Sequence, residues 1–343
     1  MTTAPATPRV GLRCDAGARI GVGHAVRSLA LGEELRNRGH QVTVWGDLAD
    51  VPWLETLVTR ARFDRMPAAT TGPALAEQAR SAGFDTVVLD GYQLPADAGT
   101  ALRAAGATVL AMVDGEFGGG QEADLYVDQN LGSTPHAGGP AGSVALAGAD
   151  YALFRDSVLN RRRAPVDVGE IRSVLAVFGG TDPMGAAPLV IPALLATGAP
   201  LEVTVVAGNP GIAARLRALT PGPGQTVRTV PPDPDLAARA AAADLAITAS
   251  GSSVWELLTI GVPTAVVCVA DNQELGYRQA LDAGVATGLG RLWQFDAARA
   301  TGALRALIDD PSAAAALASR GQRLFDGRGR QRVADALTAA QPS

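Results

Sequence analysis

Short apolar runs closed by Asp, Gly or Asn recur along the first half of the chain: "RVGLRCD", "QVTVWGD", "DTVVLDG", "ATVLAMVDG" and "DLYVDQN". Compact runs of this kind predict buried strands of a parallel sheet. Ala/Leu/Arg stretches such as "GPALAEQARSAG" and "PADAGTALRAAG" lie between several of them and predict helices closed by glycine. The rhythm pauses in the charged, aperiodic "LNRRRAPVDVGEI", which carries Pro165 and reads as a linker. It then restarts. "SVLAVFGG", "LEVTVVAG", "TVRTV", "ADLAITAS" and "PTAVVCVAD" predict strands. "GAAPLVIPALLATG", "DPDLAARAAAA", "SVWELLTIG" and "NQELGYRQALDAG" predict helices, as does the last stretch from "DPSAAAALASRGQRLF" onward. The fold class is therefore α/β, two doubly wound Rossmann-like domains facing a central cleft. The expected division is residues 1–160, a linker over 161–170, residues 171–320, and a C-terminal helical segment over 321–343 that packs back on the first domain.

Composition narrows the classes of function. The 343 residues are 47% hydrophobic and 18% charged, enough apolar material for two cores and too much for a disordered chain. Net charge is −5, and no basic run exceeds "NRRRA", so no nucleic-acid partner is expected. The longest apolar runs, such as "TAVVCVA", fall far short of the roughly 20 residues that span a bilayer, so no membrane insertion is expected. "MTTAPATPRV" lacks the basic start and apolar core of a signal peptide, and the expected location is cytoplasmic. Cys14 and Cys268 sit in separate strand-like runs and make neither a disulfide framework nor a zinc pattern.

Candidate chemistry gathers at the strand ends. In "DAGARIGVGHAVRSLALGEEL", Gly21 and Gly23 flank Val22 and precede His24, one of three histidines. A glycine turn between strand and helix lets backbone approach a ligand closely, and the helix N-terminus behind it favours anions. It is not a dinucleotide fingerprint, because Val26 stands where the third glycine would fall. His24 as a helix cap or packing group is the plainer alternative. In "VFGGTDPMG", Gly180 and Thr181 are placed to face a phosphate; alternatively Asp182 caps a helix that Pro183 begins. In "ITASGSSVWELLTIGVP", Ser250, Gly251, Ser252 and Ser253 precede Glu256, a pattern that suits a pyrophosphate and a ribose diol, or a capping box between Ser253 and Glu256. In "VADNQELGYRQAL", Asn272 and Gln273 are sugar or phosphate contacts, or Asn272 is a cap. In "VVLDGYQLP", Asp90 and Tyr92 project from a strand end and can face the same cleft as His24, with Asp114 and Glu116 of "MVDGEF".

These stretches, in this order from Arg9 to Gly290, resemble the nucleotide-sugar hydrolase of pseudaminic acid biosynthesis and its spore-coat polysaccharide relatives. The most specific match is "RCDAGARIGVGHAVRSLALGEEL" to that family's Asp…Ile-Gly-x-Gly-His…Arg signature; "LDGYQL", "VDGEF…ADLYVDQN", "GADYALFR", "FGGTDP", "ASGSSVWELLTIGVP" and "DNQ" follow. The family has the GT-B fold, shared with the N-acetylglucosaminyltransferase of peptidoglycan-precursor synthesis. The resemblance implies that the C-terminal domain binds UDP, with Glu256 on the ribose, the Ser250–Ser253 turn on the pyrophosphate, and Asn272 and Gln273 nearby. It also implies that the N-terminal domain carries the catalytic groups, with His24 on the family's catalytic histidine and Tyr92 on its active-site tyrosine. Asp15 joins His24 and Tyr92 as an expected catalytic residue, and Gly21, Gly23, Arg27, Asp90 and Asp114 are expected substrate contacts. The family carries two adjacent aspartates where this chain has Asp114-Gly115, a departure that bears on the identity of the sugar and of the acceptor.

The expected reaction is cleavage of the anomeric C1–O bond of a UDP-sugar with inversion, His24 acting as base near neutral pH. The sugar passes to a small acceptor, as in specialised-metabolite assembly, or alternatively to water; a sugar-nucleotide-binding protein without turnover is the third reading. No cofactor and no metal are expected, the helix N-termini stabilising the departing diphosphate instead.

Overall fold

The computed structural model describes residues 7–17, 21–48, 51–115, 117–164, 169–179 and 182–340. These form two compact units, one of residues 1–156 with 327–343 and the other of residues 157–326.

The first unit runs β1 (Arg9–Cys14), α1 (Gly23–Asn37), β2 (Gln41–Trp45), α2 (Pro52–Arg60), β3 (Asp64–Met66), α3 (Gly72–Ala82), β4 (Thr86–Asp90), α4 (Ala98–Ala104), β5 (Thr108–Met112), β6 (Leu125–Asp128) and β7 (Val144–Ala147). Its sheet has the order β3-β2-β1-β4-β5-β6-β7 with every pairing parallel. Alternate residues of each strand feed opposite faces, as the two-residue period requires. Val88 of β4 joins a core with Val10, Leu12, Leu29 and Leu54, while Val87 and Leu89 join Leu75, Leu102 and Val109 on the other face.

α5 (Asp156–Leu159) lies at the boundary, and the second unit then runs β8 (Ser173–Val177), α6 (Ala187–Leu195), β9 (Glu202–Val206), α7 (Pro210–Arg217), β10 (Thr226–Val230), α8 (Leu236–Ala242), β11 (Leu245–Ala249), α9 (Ser253–Ile260), β12 (Thr264–Cys268), α10 (Glu274–Asp282), β13 (Thr287–Arg291), α11 (Ala297–Asp309) and α12 (Pro311–Leu324). Its parallel sheet has the order β10-β9-β8-β11-β12-β13, that of a doubly wound Rossmann-like fold. The chain ends with α13 (Gly329–Ala340), whose Val333, Ala334 and Leu337 enter the core of the first unit.

In both sheets the strand order reverses beside the first strand, between β1 and β4 and between β8 and β11. Crossovers leave the sheet in opposite directions there, which opens a crevice at the carboxyl ends of the two strands. The sequence-predicted strands all form. Those not anticipated are β3, β7 and β13, which sit at or beside sheet edges.

The basic stretch read as a linker has a structural job within the second unit. Arg162 donates to the carbonyls of Gln322 and Phe325 at the end of α12, and Arg163 to those of Ala240, Ala241 and Ala243 at the end of α8. The backbone N–H of Arg163 donates to Ile260 at the end of α9. Helix C-termini present carbonyls without intrahelical partners and a partial negative charge, so two guanidinium groups satisfy both needs. Among the described residues no helix is long and apolar enough to cross a membrane.

Candidate active site

His24, Arg27 and Ser28 occupy positions i, i+3 and i+4 of α1 and therefore share one helix face. That face meets Asp90, the last residue of β4, at the switch point of the first sheet. The Asp90 carboxylate is fully buried and accepts from all three side chains. Arg27 donates from Nε to Oδ2 and from Nη2 to Oδ1, both at 2.7 Å. Ser28 Oγ donates to Oδ2 at 3.1 Å, and His24 Nδ1 lies 2.7 Å from Oδ1. These bonds fill the four lone-pair sites of a carboxylate.

The arrangement fixes the state of each group. Burial alone would push the Asp90 carboxyl up, but the Arg27 charge and the bonds from Arg27 and His24 outweigh it and hold it below the usual carboxylate range. Asp90 is thus ionised, an acceptor only, and Nδ1 of His24 must carry the proton between them. The 3.1 Å approach of Arg27 Nη2 to Nδ1 is then a contact of two donors that share Oδ1. Nε2 is left as the acceptor nitrogen of the ring.

Tyr92, two residues beyond Asp90, packs edge-on against the His24 ring at a centroid distance of 4.3 Å. Its hydroxyl lies 3.4 Å from Asp114 Oδ2, and burial, followed by the Asp114 charge, pushes the phenol up. Arg27 Nη1 approaches the same Asp114 oxygen at 3.4 Å, and Asn130 Nδ2 donates to Oδ1 at 3.2 Å. Asn130 also donates to Asp128 Oδ1 at 2.9 Å; burial first, and the Asp114 charge with it, push the Asp128 carboxyl up against the lowering hydrogen bonds from the Asn130 backbone and side chain. Phe117, 49% exposed, stacks on Tyr92 with 4.3 Å between centroids. The structure therefore brings together His24, Arg27, Asp90, Tyr92 and Asp114, and adds Ser28, Phe117 and Asn130. Helical spacing from His24 could have found Ser28; Phe117 and Asn130 lie in the matched stretches "VDGEF" and "ADLYVDQN", but on loops after β5 and β6, where nothing in the sequence sets them beside His24.

Four further residues of this unit complete the picture. Gly21 sits at φ +80°, where glycine is favoured, and exchanges backbone hydrogen bonds with Gly17, while Gly23 opens α1. His24 is not the helix cap, since Val22 holds that position. Asp15 turns toward the end of β2: it accepts from the backbone of Asp47 at 2.9 Å and pairs with Arg13 at 2.8 Å. Gly115 takes φ +61° in a tight turn closed by Asp114 and Phe117, a conformation that explains a glycine after Asp114. Glu116 lies outside the described residues.

At the switch point of the second sheet, Ser250 follows β11 and is buried. Its hydroxyl approaches the carbonyl and Oε1 of Gln273 at 3.5 and 3.4 Å, so the serine turn and the 3-10 turn Asp271–Gln273 are neighbours. A Cβ on Gly251 would meet Gln273 Nε2 at 3.4 Å. Glu256 lies in the first turn of α9. The capping box expected between Ser253 and Glu256 is not made: Ser252 holds the cap position, without a side-chain bond, because the chain turns into the helix one residue earlier. Asn272 likewise is not a cap; Gln273 precedes α10. Gly180 and Thr181 lie outside the described residues. Asp182 and Pro183 do not begin a helix, which starts at Ala187, yet Asp182 still serves it, accepting from the N–H groups of Ala186 and Ala187 at 2.7 and 2.8 Å. The chain contains one Asp-x-Asp, Asp233-Pro234-Asp235; Asp233 accepts from the backbone of Asp235 and from Arg239 at the start of α8.

No protein-family model and no curated protein matches the chain. Solved structures match it along its whole length. Acinetobacter baumannii MurG aligns at 18% identity and a TM-score of 0.73, covering 97% of this chain and 99% of that one. The glycotransferase of kitacinnamycin aligns at 16% identity and 0.67, covering 99% and 100%. An S. aureus MnaA-UDP co-structure aligns at 13% identity and 0.63, covering 96% and 95%. The fold is GT-B.

Proposed function

We propose that the chain is a GT-B enzyme that transfers the sugar of a UDP-sugar to a small acceptor with inversion at the anomeric carbon. The observation that carries this reading is the buried ion pair of Arg27 and Asp90, which fixes the His24 tautomer and leaves Nε2 as a base. In the proposed step, Nε2 takes the proton of an acceptor hydroxyl as that oxygen attacks C1. The C1–O bond to the diphosphate breaks, and UDP leaves with the electron pair. Asp90 stabilises the imidazolium that forms, and Arg27 keeps Asp90 ionised so that it can do so. Tyr92 and Asp114 lie beside the ring, in position to hold sugar hydroxyls. Asp15, held by Arg13 and Asp47, supports the loop after β1.

The Ser250–Ser253 turn, Glu256, Asn272 and Gln273 would hold UDP, with the diphosphate at the N-terminus of α9, where the helix dipole favours anions. Gly180 and Thr181 belong to the same proposal. Support comes from the switch-point position of the turn and from the contact between Ser250 and Gln273. The fold neighbours named for glycosyl transfer and for a UDP complex agree with it. The protein would act as a soluble cytoplasmic enzyme with a UDP-sugar and a small molecule as its partners.

Transfer to water is the second reading, favoured by the Asp…Ile-Gly-x-Gly-His…Arg motif. Incubation with candidate UDP-sugars and no acceptor separates the two: release of free sugar in proportion to UDP rejects the transferase. Bound UDP without any turnover would leave a binding protein.

A further inference from the structure

Asn130, the second residue after β6, stands between two carboxylates: its Nδ2 donates to Asp114 Oδ1 at 3.2 Å and to Asp128 Oδ1 at 2.9 Å. We propose that Asn130 is a positioning residue of the candidate active site, holding Asp114 turned toward Tyr92 and Arg27 and so setting the polar face beside His24. The inference rests on the glycosyl-transfer reading and deepens it, because that reading uses Asp114 and Tyr92 to hold sugar hydroxyls.

Asp114 needs an outside hold. Its backbone is pinned by reciprocal hydrogen bonds with Phe117, but the torsion between Cβ and Cγ of an aspartate is broad. Arg27 Nη1 and the Tyr92 hydroxyl both meet Oδ2, each at 3.4 Å, which is long for a hydrogen bond. Among the described residues Asn130 supplies the donor on Oδ1, and a shorter one. With both oxygens held, the plane of the carboxylate is set. Asn130 also keeps like charges apart. The charged and titratable groups around Asp114 are Arg27 of α1, with Asp90 on its other edge, Tyr92 after β4, and Asp128 of β6. The Asp114 charge is one cause, after burial, that pushes the Asp128 carboxyl up. An amide nitrogen carries two hydrogens, one for each acid. Without it the two carboxylates face each other, and Asp114, whose side chain is 34% exposed, turns away toward solvent.

The amide is itself braced. The Asn130 backbone N–H donates to Asp128 Oδ1 at 3.0 Å and closes an Asp turn. Ser133 Oγ reaches the carbonyls of Asp128 and Asn130 at 3.0 and 2.8 Å, and accepts at 2.9 Å from the N–H of Gly148, the residue after β7. The ends of β6 and β7 thus fix the base from which the side chain extends. The turn is closed without the bond to Asp114, which is left to serve the site.

Asn130→Ala and Asp114→Ala, alone and together in the full-length protein, form a double-mutant cycle. Each single variant should raise the KM for the UDP-sugar about tenfold with a smaller change in kcat, and the double variant should resemble Asp114→Ala alone. Asn130→Leu, which keeps the side-chain volume without the donor, should match Asn130→Ala. Additive effects, or an unchanged KM in either Asn130 variant, overturn the proposal. A second readout needs no turnover. The ring-proton NMR signals of His24, identified by their loss in His24→Ala, report the tilt of the Tyr92 ring that lies edge-on at 4.3 Å. They should move in Asn130→Ala and in Asp114→Ala, and no further in the double variant, while those of His40, beyond the C-terminus of α1, stay in place and show that the fold is intact. Unmoved His24 signals overturn the positioning role. If they respond as expected but the wild-type protein consumes no UDP-sugar, it is the glycosyl-transfer reading that has failed, and the role of Asn130 in the reaction falls with it.

Discussion

At the scale of single residues, Asp90 organises the candidate site. It is a fully buried carboxylate whose lone pairs are all taken by Arg27, Ser28 and His24. Asp90→Asn keeps the volume but turns one oxygen into a donor that must face another donor. Breaking a buried pair in this way costs about 3–5 kcal/mol, which urea unfolding would measure. The acid limb of stability should change as well. The folded pKa of Asp90 is depressed, so its contribution is present above the unfolded value of about 3.9 and is lost as pH falls through the lower folded value. Asp90→Asn should therefore destabilise the protein at neutral pH and flatten the loss of stability between about pH 4 and the acid extreme. His24→Ala removes the proposed base without touching the ion pair. Its kcat for UDP-sugar consumption should fall about 10²–10⁴-fold, while the Asp90 lone pair left without a donor lowers the melting temperature by what a lost buried hydrogen bond of about 1–3 kcal/mol implies, and undiminished turnover would remove His24 from the mechanism. Cys14, one strand over from Asp90, is buried and pushed up to about 12, by burial first and then by the Asp90 charge. It should resist thiol-specific labelling until the protein unfolds.

At the scale of elements, the sequence was most readable where one force dominates. Central strands such as Thr86–Asp90 and Leu245–Ala249 are buried at every position and stand out as unbroken apolar runs. The missed strands lack that signature: Asp64–Met66 is a short edge strand with two charged residues, and Thr287–Arg291 carries two glycines. Helices α2, α7 and α11 were not read from the sequence, although each buries an apolar stripe: Leu54 and Val58, Ile212 and Leu216, and Leu304 and Leu307. The candidate cluster was legible in part. His24, Arg27, Asp90, Tyr92 and Asp114 sit at strand ends or on one helical face, whereas Asn130 arrives only through the pairing of β5 with β6. Caps were the least legible feature. Asp182 was expected to start a helix and instead stands at φ +50° four residues upstream, its two oxygens closing the first N–H groups of α6. Asp182→Ala loses both bonds and leaves a β-carbon residue in left-handed backbone, so it should cost about 1–2 kcal/mol. Asp182→Gly should cost less, because relief of the backbone offsets part of the lost cap. Denaturant midpoints of the two variants would test the order.

At the scale of the whole molecule, α12 and α13 are consecutive in sequence and belong to different cores. Leu317 of α12 packs with Leu304 and Val267 in the second unit, while Leu337 of α13 packs with Leu29 and Leu31 in the first. The chain changes unit between Asp326 and Gly327, and ion pairs fasten the returning helix: Arg330 to Glu33 and Glu34, and Asp335 to Arg38. The Arg38–Asp335 pair has an exposed partner and is small, whereas Arg330 is buried among Glu33, Glu34 and Asp156, so that cation and the apolar face of α13 share the attachment. A buried leucine truncated to alanine costs about 2–5 kcal/mol, and the loss falls on the core that housed it. Leu337→Ala should therefore lower the unfolding transition of the first unit, read by the fluorescence of Trp45 and Trp53, and Leu317→Ala that of the second, read by Trp255 and Trp293. Calorimetry resolves the same two transitions if the cores melt separately. Should either variant move both probes by the same amount, the two units unfold as one cooperative body, and the division of α12 and α13 between independent cores is wrong in energetic terms.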